Sequence, residues 1–393
     1  MDFISEFVEH TNGLPTPEIF RLWTAISALG GVLERKVYTR TARTPLFPNL
    51  FVVLVGGPAT GKSVAISEAV RLWQQVEKVN LAPDDVTGAS LIDSLSTAPR
   101  STLLPDNSTQ EFHSMLIPAP ELGVLLPEYD QIMIGLLCYL YDNPHSFTQK
   151  RRTGNRNINI TLPHISILAG CTPGYLASTF PEQAWTTGFS SRTIMIYSAS
   201  HVKVPLFSGP KTDALRADRL AGFLNNAVDL HGEFTWADDA AMTLERWAMM
   251  DCSPVPEHSK LQTYVGRRAL NMIKLCMIAA VSRTCELNIE LQDVQRAQEW
   301  LLQAEALMPD IFRDMVHRSD SDVLNELHFY LWKRWVKDRV AVHESALYHF
   351  LGTKVPSEKI GRIIDIAERS NMITREAGSQ MWTPRPKSEH GEE

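Results

Sequence analysis

Short apolar runs alternate with amphipathic stretches through the first half of the chain. The run Phe51–Val55 is uninterrupted and rich in β-branched residues, whereas residues 64–73 repeat apolar positions at helical spacing. A helix is predicted from Thr87 to Leu95, and three more β-type runs follow, at residues 114–118, 164–170 and 192–197. This alternation of strands and helices predicts an α/β fold with a mostly parallel sheet covered by helices.

The rest of the chain follows other periodicities. Four helical patterns predict an all-α lid: 215–230, 237–251, 260–283 and 291–316. Three short helical patterns and then two β-type pieces within 372–383 are typical of a winged helix: 323–336, 343–350 and 357–369. The predicted domains are a helical brace (1–45), a core (46–205), the lid (206–318), the winged helix (319–384) and a disordered polar tail (385–393).

Phosphate chemistry appears where the first core strand ends. From Gly56 the chain matches G-x-x-x-x-G-K-S, the pattern of a phosphate-binding loop, between a predicted strand and a predicted helix. Backbone N–H groups and the positive end of the helix dipole converge at such a place. A chance match in a glycine-rich turn would not need this order of elements. We therefore predict a P-loop ATP site formed by Gly56, Gly57, Pro58, Ala59, Thr60, Gly61, Lys62, Ser63 and Val64.

The residue types in this loop fit the chemistry of MgATP. Glycines permit backbone conformations and close approaches that a Cβ forbids. Lys62 brings a compact positive charge to the β- and γ-phosphates, and it is a predicted catalytic residue. Ser63 offers a hydroxyl oxygen to a Mg²⁺ ion that keeps most of its waters. ATP and Mg²⁺ are therefore the predicted cofactors.

Hydrolysis also needs an acidic group near the magnesium ion or the attacking water. Glu121 follows an apolar strand-like run and is the candidate for this role. Alternatively, Glu121 caps the helix that follows, and Glu128 and Asp130 are the nearby substitutes. Pro120 stands where an aspartate usually precedes such a glutamate.

Three further side chains are candidates for contact with ATP. Thr172 ends a predicted strand, where its hydroxyl orients the attacking water or, alternatively, caps the next helix. Arg192 precedes a strand and is a candidate arginine finger for a neighbouring subunit, with a surface salt bridge as the alternative. Arg267, with Arg268 beside it, opens a lid helix and is expected to sense the nucleotide.

Two basic segments are candidates for contact with nucleic acid. The first is a predicted hairpin with four basic side chains around a Thr-Gly-Asn turn: Lys150, Arg151, Arg152 and Arg156. Inside a ring they would hold the phosphates of single-stranded DNA, although a solvated charge run is the alternative. In the C-terminal module, Lys359 and Arg362 lie on the third helix, where winged helices contact duplex DNA or, alternatively, another protein.

Composition restricts where such contacts can form. The net charge of −7 over 393 residues excludes a surface that is basic throughout, so DNA contacts must be local. Five cysteines without paired spacing predict free thiols in a reducing cytoplasm. No apolar run reaches the roughly 18 residues needed to cross a bilayer, and the start lacks the pattern of a secretion signal, so no membrane association is expected.

The chain resembles a family of phage and prophage P-loop ATPases that are helicase-like or associated with primases. The resemblance is carried by four segments, at residues 48–63, 119–122, 170–173 and 188–192. The resemblance implies a nucleotide site in which Glu121, Thr172 and Arg192 have the roles given above. It also implies a location in the cytoplasm of a bacterial host cell. Pro120 departs from the acidic residue that many relatives carry. The order of features also resembles AAA+ and superfamily 3 helicases, which implies a ring, expected to be a hexamer, that moves DNA.

Two functions are therefore weighed. The first is an ATP-driven DNA motor, a replicative helicase or close relative. The second is an ATP-switched DNA-binding protein, such as a helicase loader or replication initiator, with weak hydrolysis. A small-molecule kinase is disfavoured, because the sequence shows no acceptor site and a kinase would not need the winged helix.

Overall fold

The computed structural model describes most of the chain. The described residues are 1–42, 44–104, 106–127, 130–150, 157–180, 185, 188–205, 207, 214–352, 355, 357–376 and 378–385. They belong to two compact units, Met1–Phe312 and Arg313–Glu393. The finer domain boundaries given above stay predictions.

The described elements are as follows. The strands are β1 (Val37–Arg40), β2 (Pro45–Leu46), β3 (Phe51–Val55), β4 (Pro99–Leu103), β5 (Thr109–Ala119), β6 (Ser146–Lys150), β7 (Asn157–Thr161), β8 (Pro163–Cys171), β9 (Thr193–Tyr197), β10 (Gly232–Glu233), β11 (Thr235–Trp236), β12 (Asn288–Ile289), β13 (Val342–His343), β14 (Ile373–Arg375) and β15 (Met381–Pro384). The helices are α1 (Phe3–His10), α2 (Glu18–Leu33), α3 (Lys62–Trp73), α4 (Gly88–Ser96), α5 (Leu122–Leu125), α6 (Gln131–Tyr141), α7 (Pro173–Thr179), α8 (Gly188–Arg192), α9 (Ala214–Ala227), α10 (Asp238–Met249), α11 (Gln262–Val265), α12 (Arg268–Thr284), α13 (Leu291–Asp338), α14 (Glu344–Gly352) and α15 (Ser357–Arg369).

A five-stranded sheet forms the centre of the first unit, with strand order β4-β5-β8-β3-β9. Strands β5, β8, β3 and β9 are parallel, and β4 pairs antiparallel with β5 at one edge. Every residue of β3 and β8 is buried, as expected for strands covered by helices on both faces. The predicted α/β class with a mostly parallel sheet is confirmed, and each predicted β-type run lies within or overlaps a strand.

The first 35 residues pack against this sheet. Helix α2 is buried along almost its whole length and lies against α3 and β8. The indole Nε1 of Trp73, the last residue of α3, donates to the carbonyl oxygen of Ala28 in α2 at 3.0 Å. The helix that begins at the predicted phosphate loop is therefore joined to the N-terminal helices.

The helical part of the chain differs from the sequence prediction in two places. The pattern at 260–283 is not one helix, because α11 ends at Val265 and α12 starts only at Arg268. The two patterns at 291–316 and 323–336 are one continuous helix, α13, of 48 residues. The polar stretch at 317–322 indicated a break, but it contains neither glycine nor proline, so nothing in the backbone prevents the helix from continuing.

The second unit has its own apolar core and a small sheet of order β13-β15-β14. Its strands are antiparallel, and α14 and α15 pack beside them. The helices predicted at 343–350 and 357–369 and the two β-type pieces are present here. The predicted disordered tail, apart from Arg385, lies outside the described residues.

Within the part of the chain that the structure describes, no helix combines the length and the apolar character needed to span a bilayer. All five cysteines are free, and Cys171, Cys252 and Cys276 are buried.

Candidate nucleotide-binding site

The segment Gly56–Ser63 connects β3 to α3 at the sheet edge where the parallel strands end. The N–H of Gly56 donates to the carbonyl oxygen of Cys171 at 3.1 Å, and the N–H of Ser198 donates to that of Val55 at 3.0 Å. These bonds tie the start of the loop to the ends of β8 and β9. Helix α3 begins at Lys62, so its N-terminal N–H groups lie at the same edge.

The loop fits tightly against its surroundings at two glycines. Gly61 has a φ of +80°, and a Cβ at this position would lie 2.0 Å from the carbonyl oxygen of Pro15. A Cβ on Gly56 would lie 2.6 Å from the carbonyl oxygen of Ser198. Both obstacles are backbone atoms, which cannot rotate away, so packing requires glycine at both positions and conformation requires it at Gly61 as well.

Lys62 turns back over the loop. Its ammonium group donates to the carbonyl oxygens of Gly56 and Gly57 at 2.8 and 2.7 Å and approaches the Thr60 hydroxyl at 3.3 Å. The Thr60 hydroxyl in turn donates to the carbonyl oxygen of Gly57 at 2.8 Å. The loop therefore closes around one positive charge, which is the charge that a polyphosphate would require.

The solvent-facing side of the loop is open. Pro58, Ala59 and Ser63 are exposed, and Val64 is half-buried. The Ser63 hydroxyl in the first turn of α3 therefore suits the single protein ligand that phosphate-bound Mg²⁺ typically takes. Among the described residues, no group of three or more His, Cys, Asp or Glu side chains could hold a metal ion alone.

Glu121 lies at the same sheet edge as the loop. It follows the end of β5, and a Cβ on Gly170 of β8 would meet the carbonyl oxygen of Pro120 at 2.5 Å and the Cβ of Lys62 at 3.4 Å. Burial raises the pKa of the neighbouring Cys171 thiol to about 12, with the charge of Lys62 opposing this shift and that of Glu121 adding to it. Lys62 and Glu121 therefore both lie close enough to this buried thiol for their charges to act on its pKa.

The side chain of Glu121 is exposed and makes no capping hydrogen bond to α5, although Glu121 precedes that helix. The substitutes behave differently. Asp130 accepts the N–H of Met133 at 2.9 Å and caps α6, and Glu128 lies outside the described residues. Of the two candidates that the structure describes, Asp130 therefore caps a helix, whereas Glu121 has no capping hydrogen bond and lies at the same end of the sheet as the loop.

Thr172 follows β8 and caps α7. Its hydroxyl oxygen accepts the N–H of Tyr175 at 3.2 Å, which is the alternative that its position before Pro173 allowed. The Tyr175 hydroxyl donates to the carbonyl oxygen of Leu126 at 3.0 Å. Thr172 is therefore fixed at the edge that holds the loop, with its oxygen lone pairs partly used.

Arg192 lies at the other end of the parallel strands, where they begin. It directly precedes β9, whose first residue Thr193 pairs with Phe51, the first residue of β3. Strands of this length place it roughly 15–20 Å from the loop. Its guanidinium forms two hydrogen bonds to the Asp142 carboxylate, and its side chain is only 12% exposed. The predicted salt bridge is present, but Arg192 is largely buried.

Arg267 binds the same carboxylate, with 3.2 Å between its Nη1 and Oδ1 of Asp142. Burial alone would raise the pKa of Asp142, but the hydrogen bonds and charges of Arg192 and Arg267 hold it below its usual value. Arg192 and Arg267, both predicted to contact a nucleotide, thus bind the same carboxylate of Asp142. The structure does not bring either arginine to the Gly56–Ser63 loop of the same chain.

Arg268 has a structural role. Its guanidinium is fully buried and donates to the Glu305 carboxylate at 2.7 and 2.6 Å, and Tyr264 donates to the same carboxylate at 2.8 Å. It also binds the carbonyl oxygens of Cys252 and Pro254. These partners occupy its donors, which leaves little of the guanidinium to contact a nucleotide.

The basic segments are described only in part. Strands β6 and β7 form the predicted antiparallel hairpin, in which the exposed Lys150 pairs with Asn157. The other three predicted cations, Arg151, Arg152 and Arg156, lie outside the described residues. In the second unit, Lys359 and Arg362 are exposed on α15, and Ile360, Ile363 and Ile364 on the same helix are buried.

Sequence reasoning missed a set of buried polar groups at the edge where the parallel strands begin. Asn49, fully buried just before β3, accepts from Lys274 at Oδ1 and donates to the carbonyl oxygen of Tyr141. His164, fully buried in β8, contacts Asn143 Oδ1 at 2.7 Å. The one available signal was Asn49 itself, a polar residue directly before an apolar strand.

Comparison with known proteins adds nothing to this geometry: no model of a protein family matches the sequence, and no similar sequence was found among curated proteins.

Proposed function

We propose that this protein binds MgATP at Gly56–Ser63 and hydrolyses it to move along DNA as a ring oligomer, expected to be a hexamer. The observation that carries the proposal is the convergence of Lys62, Ser63 and Glu121 at one sheet edge, beside a helix N-terminus. A phosphate chain there would meet backbone N–H groups, an ammonium group and a hydroxyl ligand for magnesium.

In this proposal each side chain has one task. Lys62 leaves the loop carbonyls to bind the β- and γ-phosphates, and Ser63 binds Mg²⁺, which neutralises charge on the same phosphates. Glu121, exposed and without a capping bond, accepts a proton from the attacking water. Arg192 acts on the ATP of a neighbouring subunit, since it lies too far from its own loop.

The architecture supports a P-loop core of the AAA+ or RecA-like kind. The β6–β7 hairpin directly precedes β8, the order in which AAA+ and superfamily 3 helicases present a DNA-gripping hairpin. We assign α9–α12 and the first part of α13 to a lid. We assign the second unit to a winged helix in which Lys359 and Arg362 contact duplex DNA.

A second candidate is an ATP-switched DNA-binding protein, such as a loader or initiator. Three observations favour slow hydrolysis: Pro120 precedes Glu121, the Thr172 hydroxyl caps a helix, and Arg192 is held by Asp142. ATP would then set the oligomeric state without driving continuous movement.

The variant Lys62→Ala tests the shared basis of both candidates. Removing the ammonium group should weaken ATP binding at least about tenfold and abolish hydrolysis, because a P-loop lysine contributes a charge-assisted contact. Binding is measured by titration with a fluorescent ATP analogue. Lys78→Ala is the control, since Lys78 is half-exposed and pairs with the exposed Asp229, a contact of little energy. Wild-type affinity in Lys62→Ala would refute both candidates.

The two candidates differ in their response to DNA. A motor should hydrolyse ATP several-fold faster when single-stranded DNA is added, and it should separate a forked duplex. A switch should assemble with ATP, turn over slowly and leave the fork intact. Steady-state phosphate release with and without DNA, measured beside a strand-separation assay, distinguishes them.

A further inference from the structure

Two adjoining cavities lie beside the β1–β2 hairpin, at the edge where the parallel strands begin. Their volumes are about 440 and 460 Å³, and they share six lining residues: Arg35, Thr41, Thr44, Pro45, Phe47 and His145. We call this continuous depression the edge cleft. The whole of it lies within the first unit, and it is separate from the Gly56–Ser63 loop, which is at the other end of the same strands.

Charge is segregated in the edge cleft. The described residues that line it include five lysine or arginine side chains and a single carboxylate: Arg35, Lys36, Arg40, Arg267, Lys274 and Asp142. Outside the lining, Glu34 pairs with Lys36 and Glu233 pairs with Arg40. The chain as a whole carries a net charge of −7. A concave surface of the opposite sign to the whole molecule concentrates the field of its own charges and attracts an anion.

Two of these cations are bound to neutral groups in the described structure. Nη1 of Arg35 donates to the carbonyl oxygens of Asn143, Pro144 and Pro163 at 2.9, 3.2 and 3.3 Å. The ammonium group of Lys274 donates to the carbonyl oxygen and Oδ1 of Asn49 at 2.7 and 2.9 Å. Burial lowers the pKa of Arg35 to about 10, so this guanidinium is charged at neutral pH. The neutral acceptors orient the Arg35 guanidinium without cancelling its charge, whereas burial lowers the pKa of Lys274 well below its usual value.

Aromatic rings line the same walls. The Arg35 guanidinium lies 4.7 Å from the centroid of Phe47, and the rings of Tyr38 and Phe47 are 6.3 Å apart. Tyr141 contributes to the other cavity. Cations interspersed with aromatic rings along a groove are the combination that binds the backbone and bases of single strands without reading their sequence.

The cleft also leads to the β6–β7 hairpin. His145 lines both cavities and directly precedes Ser146, the first residue of β6. The exposed Lys150 ends that strand. A strand that left the cleft past His145 would therefore follow the hairpin toward further positive charge, whereas a single nucleotide would use only one of the two cavities.

We propose that the edge cleft binds the phosphate backbone of single-stranded nucleic acid. The proposal rests on the proposed function, to which it adds a second contact surface besides the hairpin. Arg40, whose side chain is 69% exposed, and Arg267 are the outermost cations. Arg40 is paired with Glu233 at 3.1 Å and Arg267 with Asp142 at 3.2 Å, and on binding both exchange these carboxylates for phosphates. The more buried Arg35 supplies field inside the cleft.

The test is binding of a fluorescein-labelled oligothymidylate of about 12 nucleotides to the full chain without ATP, followed by anisotropy. The combined variant Arg40→Ala/Arg267→Ala should bind about tenfold more weakly than wild type. Its slope of log affinity against log salt concentration should be shallower by about 1.4, because each lost phosphate contact on a single strand removes about 0.7. Arg246→Ala, an exposed arginine on α10, should match wild type in both respects.

Arg40→Gln alone guards against a folding defect, because it removes only a mostly exposed charge whose partner Glu233 is also exposed. It should weaken binding while the melting temperature stays that of wild type. Equal affinity and equal slopes in wild type and the combined variant would overturn the proposal. So would no binding by wild type, or dTMP competing as well as the oligonucleotide in a Lys62→Ala background, which would indicate a mononucleotide pocket.

The same proteins separate this proposal from the motor. If wild type binds the oligonucleotide through these arginines but does not hydrolyse ATP, the motor fails and the cleft stands. If DNA stimulates hydrolysis equally in wild type and the combined variant, the cleft fails and the motor stands.

Discussion

His164 lies at the start of β8 with its ring fully buried, close to Phe47 and Asn143. Burial lowers its pKa well below the usual value of 6.5, and the charges of Arg35, Lys274 and Lys36 lower it further. The folded protein therefore keeps this imidazole neutral, while an unfolded chain would protonate it near pH 6.5. Burial is the main reason that His164 stays neutral, and the charges beside the edge cleft add to it.

Stability should accordingly fall with acidity. The contribution of His164 is fully present above pH 6.5 and is lost as pH falls below that value, because only the unfolded state then takes up the proton. The expected loss is up to about 1.4 kcal/mol per pH unit. Urea unfolding at several pH values, followed by tryptophan fluorescence, measures it. His164→Gln should remove this part of the pH dependence, and the exposed His231→Gln should retain it; equal slopes in wild type and His164→Gln would contradict the assignment.

At the scale of elements, the turn between α1 and α2 lies against the Gly56–Ser63 loop. The carbonyl group of Pro15 faces Gly61 so closely that no side chain fits between them. Trp73 at the end of α3 donates a hydrogen bond to α2. The N-terminal segment therefore contacts α3 at both of its ends. The N-terminal helices therefore hold the Gly56–Ser63 loop in place.

Gly61→Ala should break this contact. The added Cβ would lie 2.0 Å from the Pro15 oxygen at a φ of +80°, so either the turn or the loop must move. We expect a loss of about 1–3 kcal/mol in unfolding free energy, together with weaker ATP binding. Gly222→Ala on α9 is the control, because its Cβ would meet open space and alanine favours helix there by about 1 kcal/mol. A Gly61→Ala protein as stable as wild type would show that the turn yields easily.

Elements with a strong local signal could be predicted from the sequence, and contacts between distant segments could not. Strands β3, β8 and β9 are fully buried, so their apolar runs were visible. Strand β4 alternates between exposed and half-buried positions at a sheet edge, and it carried no comparable signal. The bond between Arg192 and Asp142 spans 50 positions and that of Arg267 spans 125, which no local pattern encodes. The strand and helix on either side of the Gly56–Ser63 loop were predictable because one contiguous segment carries both patterns, while the phosphate chemistry of the loop stays a prediction.

At the scale of the whole molecule, the proposed ring requires Arg192 to act between subunits. Mixing two inactive variants, Lys62→Ala and Arg192→Ala, should restore part of the ATP hydrolysis, because some interfaces would then pair an intact loop with an intact arginine. Each variant alone should be inactive. Arg192→Lys, which retains a cation for Asp142, is the folding control. If Arg192→Ala unfolds and Arg192→Lys does not, the loss of the ion pair is the cause. No recovery on mixing two folded, inactive variants would exclude action in trans.

The loop and Arg192 occur at opposite ends of the same strands, and this arrangement restricts the symmetry of any such assembly. A twofold dimer joins like surfaces, so one interface of that kind cannot bring the arginine end of each copy to the loop end of the other unless both ends share one face. In a head-to-tail assembly, each copy places its arginine end against the loop end of the next copy. Such a series closes only if the rotation between neighbours divides a full circle, and otherwise it continues as a helical filament.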